Sequence, residues 1–199
     1  MKIALLIKGL NWKINIILFI FLSFTLKAQQ EPFYCDYNAY LFQYNDVYAI
    51  DLASGSSYLV ATDICDGIIN GAGYNPADGY IWGYQNNVGT KSIIKIGKNF
   101  NVSTYEIAEI PDTTTNGKYI GDISVSGIYH FKGSGTTFYK INLDPASANY
   151  IEYEGAYTLS QDIRIHDWAF NAVDGMFYTV EKQTNHLYRI NGAQGMLMI

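Results

Sequence analysis

Tyr48-Ala49-Ile50-Asp51 is the first of four copies of one short phrase, and the other three are Ile94-Lys95-Ile96-Gly97, Tyr139-Lys140-Ile141-Asn142 and Tyr188-Arg189-Ile190-Asn191. The isoleucines at 50, 96, 141 and 190 are 46, 45 and 49 residues apart. A fixed period in that range marks a stacked or radially repeated β-architecture. Within Tyr48-Ala49-Ile50-Asp51-Leu52, residues 48, 50 and 52 share one face of an extended strand.

Around each phrase the chain is rich in Tyr, Ile, Phe and Val and broken by Gly, Asn and Asp. These are strand formers punctuated by turn formers, and no useful helical period follows residue 30. The second unit divides into four strands, at 69–74, 79–84, 92–96 and 102–108. The third divides at 119–125, 128–132, 137–143 and 149–153, and the fourth at 163–170, 176–180, 186–190 and 195–199. The inner hairpins turn at Asn75-Pro76-Ala77-Asp78-Gly79 and Asn171-Ala172-Val173-Asp174-Gly175, where Asp-Gly supplies a positive-φ corner. The first unit shows strands at 39–43, 47–52 and 57–61. Its innermost strand is expected from Pro32–Cys35 or from the other end of the chain.

The fold class expected is therefore all-β. It is a β-propeller-like array of about four four-stranded antiparallel blades, at roughly 33–62, 67–109, 119–155 and 162–199. A β-sandwich is the rival arrangement. The last predicted outer strand runs out at Met196-Leu197-Met198-Ile199, so the ring is expected to be incomplete, as in a fragment of a larger protein.

Residues 1–28 read differently. Lys2, Lys8 and Lys13 precede an apolar run from Ile14 to Leu26, and Ala28 stands before Gln29. A 13-residue helix is about 20 Å long, short of the ~30 Å hydrocarbon core. The pattern is that of a secretory signal peptide, with residues 29–199 as the exported domain and no stable membrane insertion after cleavage. Four basic residues leave with the peptide, so 9 basic groups face 18 acidic ones in the remainder. Such a balance repels phosphate backbones, and nucleic acid is excluded as a partner class. Cys35 and Cys65 are the only cysteines, and an oxidising destination permits a bridge between them.

The run Lys27-Ala28-Gln29, Cys35-Asp36, Tyr48-Ala49-Ile50-Asp51 and Asn70-Gly71-Ala72-Gly73-Tyr74-Asn75-Pro76-Ala77-Asp78-Gly79-Tyr80-Ile81-Trp82-Gly83 carries a resemblance. It resembles the propeller-like domain of unknown function near the N-terminus of large secreted surface proteins of Bacteroidota-type bacteria. Those proteins often carry adhesin-like repeats and a sorting domain linked to type IX secretion and gliding motility. The resemblance covers most of residues 29–199 and implies a secreted or cell-surface location. It brings no catalytic residues with it.

Chemistry in a propeller is expected at the mouth of the central channel. Aligning the units at their turns sets Gly71, Asp122 and Asp167 level, with His166 beside Asp167. Two carboxylates and an imidazole can bind a cation or act as acid and base. The alternative is that each aspartate accepts backbone N–H groups where the chain enters an inner strand. His130 and His186 carry no ligand spacing, and Asp78 and Asp174 are read as turn residues. No nucleotide, zinc-protease, serine-hydrolase or calcium-loop motif is present, so no cofactor or metal is called for. The expected function is a non-catalytic binding or spacer module of a larger adhesion-type protein, with glycan or protein surfaces as partners. The alternative is an exported propeller lyase or hydrolase using Asp122, His166 and Asp167.

Overall fold

The computed structural model describes residues 30–34, 36–112 and 117–198. The predicted signal peptide and Cys35 lie outside the described residues. Among the described residues from Glu31 onward the chain is all-β, with fifteen strands and no helix. The first blade is a three-stranded sheet of β1 (Asn38–Gln43), β2 (Asp46–Asp51) and β3 (Ser57–Ala61). The second holds β4 (Ile68–Asn75), β5 (Tyr80–Asn86), β6 (Ser92–Ile96) and β7 (Val102–Glu106). The third holds β8 (Ile120–Ile123), β9 (Ile128–Lys132), β10 (Thr137–Asn142) and β11 (Glu152–Thr158). The fourth holds β12 (Ala169–Asn171), β13 (Met176–Val180), β14 (Leu187–Asn191) and β15 (Met196–Met198). Every sheet is an antiparallel meander, and the four form a propeller-like array.

The repeated phrase has two local causes. Its last residue opens a turn in three blades. Asp51 Oδ1 accepts the N–H of Ala53 at 2.8 Å, Asn142 Oδ1 that of Asp144 at 3.0 Å, and Asn191 Oδ1 that of Ala193 at 2.9 Å. The inner hairpins use the same device, with Asn75 Oδ1 on Ala77 N at 3.0 Å and Asn171 Oδ1 on Val173 N at 2.9 Å. Gly79 and Gly175 close those turns at φ +77° and +72°, where a Cβ would be strained.

The isoleucine is the second cause, because it fills the gap to the preceding blade. Ile96 packs in a cluster with Phe33, Tyr40 and Phe42 of the first blade and its approach. Ile141 packs with Trp82 and Ile93 of the second, and Ile190 with Ile120 and Phe138 of the third. All three are 0–1 % exposed. Ile50 is the exception and is only half-buried. The cross-strand pairs Tyr40↔Ala49 and Phe42↔Val47 put those four residues on the face toward the second blade, so Ile50 points the other way. Three apolar cores thus join four blades, and β1 touches β4, β4 touches β8, and β8 touches β12. No contact of that extent joins β12 back to β1 among the described residues.

Two predicted strands shift. The outer strand of the third blade begins at Glu152 rather than Asn149, because residues 144–151 form a turn that ends on Ile151 at φ +65°. The stretch 163–168 buries Ile163, Ile165 and Trp168 but forms no ladder, and β12 starts only at Ala169. Asp167 Oδ1 takes the Trp168 N–H at 3.0 Å, which diverts the backbone from strand pairing. The predicted innermost strand at Pro32–Cys35 is also not formed by its described residues. Phe33 N donates to Gly79 O at 2.7 Å and Lys98 N to Glu31 O at 2.8 Å, which fixes that segment on the second blade.

Candidate functional site

The inner strands and their approaches surround a cavity of about 530 Å³. Its walls come from all four blades: Asn38–Phe42 of β1, Ile69–Tyr74 of β4, Tyr119 ahead of β8 and Asp167 ahead of β12. Phe33 and Ile81 add apolar surface.

Of the three predicted site residues, only Asp167 reaches the cavity wall. Asp122 lies between the inner strands of the third and fourth blades, where Oδ2 accepts the N–H of Phe170 at 2.7 Å and Oδ1 that of Ile123 at 2.8 Å. Asp167 returns the contact, since its Oδ1 accepts Gly121 N at 3.1 Å. Each blade therefore holds the backbone of the other through a carboxylate. His166 is exposed and makes no hydrogen bond to either aspartate among the described residues.

The register shows that the two aspartates are not equivalent. Ile123 pairs with Tyr129 and Phe170 with Phe177, so Asp122 is level with Ala169 and Asp167 lies two residues earlier. In the second blade Tyr74 pairs with Ile81, which makes Gly73 the counterpart of Asp122. A Cβ on Gly73 would lie 2.5 Å from Asp122 Oδ1, and one on Gly121 would lie 2.7 Å from Gly71 O. Small residues are thus required where neighbouring inner strands touch, and Tyr129 Oη seals the contact by donating to Gly71 O at 2.8 Å.

Burial pushes the Asp167 carboxyl up to about 6, with the neighbouring Asp122 charge adding to it and the Gly121 and Trp168 N–H groups pulling it down. Burial also raises Asp122, against the N–H groups of Phe170 and Ile123. His130 is buried beside the Phe177 ring at 4.7 Å between centroids, and burial lowers it to about 4. His186 is exposed just ahead of β14. Asp78 serves the turn, as predicted, by accepting Tyr80 N at 3.0 Å, and it also holds Trp82 Nε1 at 3.0 Å and pairs with Lys95 at 3.3 Å. Asp174 serves its own turn through Met176 N.

Among the described residues, no group of three or more His, Cys, Asp or Glu is arranged to hold a metal ion. Cys65 is half-buried, and burial, then the Asp66 charge, pushes its thiol up to about 11, away from the thiolate that nucleophilic chemistry needs. The bridge expected from Cys65 leads to Cys35, outside the described residues.

Most of the cavity is lined not by titratable residues but by the edge of β1 and the glycines of β4, which no acid or histidine motif marks. The signal for them was the first unit itself, which has three strands where the others have four.

Residues 46–198 match a family described as a repeat of unknown function, DUF6923. A structural genomics protein of unknown function from Bacteroides thetaiotaomicron superposes with a TM-score of 0.55 at 12 % identity, covering 86 % of this chain and 44 % of that one. The extracellular domain of BT4673 from the same organism, described as a one-component system, superposes with a TM-score of 0.50 at 11 % identity, covering 85 % of this chain and 25 % of that one. The chain spans less than half the length of either structure, and at these identities the likeness shows the fold alone. No curated protein matches the chain.

Proposed function

This chain belongs to the DUF6923 family of repeats, and from that premise we propose that it is a non-catalytic propeller module, exported through residues 1–28 and serving as a binding or spacer unit of a larger surface protein of adhesion type. The observation that carries this reading is the use made of Asp122 and Asp167. Both carboxylates are engaged by backbone N–H groups across a blade boundary, and the histidine that would complete an acid–base set stands apart. That is the chemistry of a rigid ring that presents its loops and its mouth. Exposed tyrosines at 34, 37, 44 and 58, on or beside the first blade, suit glycan or protein surfaces as partners. The likeness to an extracellular domain accords with export. A location tied to type IX secretion belongs to the same proposal.

One observation favours the enzyme alternative: Asp167 stands at the cavity wall with its carboxyl raised to about 6, a value suited to proton transfer near neutrality. The two readings separate in a turnover panel of chromogenic glycosides, esters and uronate polymers. The module reading expects no turnover above buffer. Turnover that Asp167→Asn abolishes without changing thermal stability would establish the enzyme.

A further inference from the structure

We propose that Asn70 is a self-modifying site: its side chain condenses with the backbone nitrogen of Gly71 and then hydrolyses, leaving an aspartate or isoaspartate in β4 at the cavity wall.

Asn-Gly occurs at 70–71, 116–117 and 191–192. Glycine leaves its own nitrogen open to the preceding side chain, since no Cβ stands in the way, and asparagine is chemically labile for that reason. Asn116 lies outside the described residues. The other two pairs sit in the same tetrapeptide, Ile69-Asn70-Gly71-Ala72 and Ile190-Asn191-Gly192-Ala193. Any difference between them is therefore a difference of structure.

Asn191 is held. Its Oδ1 accepts Ala193 N at 2.9 Å and Gln194 N at 3.1 Å, so the side-chain carbonyl is turned toward the residues beyond Gly192. Attack by Gly192 N would first have to break both bonds. Asn70 has no such tether. No hydrogen bond engages its side chain among the described residues, and it lines the central cavity, half-buried. The backbone is irregular at the same point. β4 pairs Asn70 with Tyr84 and resumes at Gly73↔Trp82, so Gly71 and Ala72 stand in a bulge outside the ladder. Gly71 has φ +56°, and its carbonyl accepts Tyr129 Oη at 2.8 Å. That bond holds the peptide plane after Gly71, not the plane that carries the attacking nitrogen.

Water is the only co-reactant required. Gly71 N loses its proton and bonds to Asn70 Cγ. The Cγ–Nδ2 bond breaks and ammonia leaves, which gives a five-membered succinimide. Water then opens the ring. Opening at the side-chain carbonyl gives aspartate, and opening at the main-chain carbonyl gives isoaspartate, with the backbone routed through the former side chain. Either product adds a third carboxyl group to a cavity whose walls already carry Asp36 and Asp167. Isoaspartate also inserts a methylene into the backbone of β4, where residue 70 pairs with Tyr84.

The test is ageing of the full chain in warm, mildly alkaline buffer, followed by peptide mapping that reads each Asn-Gly pair separately as the mass gained when an amide becomes an acid. In urea Asn70 and Asn191 should convert within about twofold of each other, because identical neighbours then act alone. In the folded chain Asn70 should convert about tenfold faster than Asn191 or more, the factor expected where two hydrogen bonds have to break first. Conversion of Asn70 no faster than that of Asn191 in the folded chain would overturn the proposal.

Discussion

Asp122 Oδ2 accepts the backbone N–H of Phe170 at 2.7 Å, so a side chain of the third blade fixes the inner strand of the fourth. Gly121 N, one residue before Asp122, donates to Asp167 Oδ1 at 3.1 Å in return. The pair forms a reciprocal clasp, and its purpose is cohesion between blades. Asp122→Ala leaves two backbone donors without their acceptor and should cost about 1–3 kcal/mol. Asp167→Ala, at a more open position, should cost about 1 kcal/mol or less. Urea unfolding followed by tryptophan fluorescence measures both. Unchanged midpoints for both variants would show that the clasp does not hold the blades.

Acid should act on this fold through two opposed groups. The Asp167 carboxyl is raised to about 6, above its unfolded value near 3.9. The folded chain therefore binds that proton first, and this group adds stability as pH falls from about 6 toward 4. His130 is lowered to about 4, below its unfolded value near 6.5, so the unfolded chain binds that proton first. Stability from the neutral His130 is lost as pH falls from about 6.5 to 4, by something on the order of 3 kcal/mol. Asp167→Asn should steepen the acid loss between pH 6 and 4, and His130→Phe should flatten it. Denaturation midpoints across that window decide the matter, and parallel curves for all three proteins would contradict the assignment.

The four repeated isoleucines should divide three to one. Ile96, Ile141 and Ile190 are enclosed between blades, and each change to alanine should cost about 2–5 kcal/mol. Ile50 faces away from the second blade and is half-buried, so Ile50→Ala should cost about 1 kcal/mol or less. Equal costs for all four would mean that Ile50 is covered as its counterparts are.

These isoleucines also show how much of the fold could be read in advance. The phrase was legible because two independent demands fall on adjacent residues, an interblade plug and the carboxylate or amide that starts the next turn. The hairpin corners at Gly79 and Gly175 were legible because positive φ restricts the residue type. The inner strand of the fourth blade was not, since Ile163, Ile165 and Trp168 alternate like a strand while Asp167 takes the local N–H. The candidate site was half legible. Asp122 and Asp167 do meet, but a turn-based alignment hides their offset because backbone register is counted from the pairs Ile123↔Tyr129 and Phe170↔Phe177. The cavity itself was invisible to a search for acids and histidines, because a strand edge carries its chemistry in the backbone.

Amide hydrogen exchange, resolved residue by residue by NMR, tests the central claim that three blades own an inner strand and the first does not. Tyr40 and Phe42 occupy the places that Trp82 and Tyr84 hold in the second blade, where β4 pairs with them at Gly73 and Asn70. The Tyr40 and Phe42 amides should exchange orders of magnitude faster than those of Trp82 and Tyr84. Equal protection of all four would show that the first blade is already complete, and would contradict it.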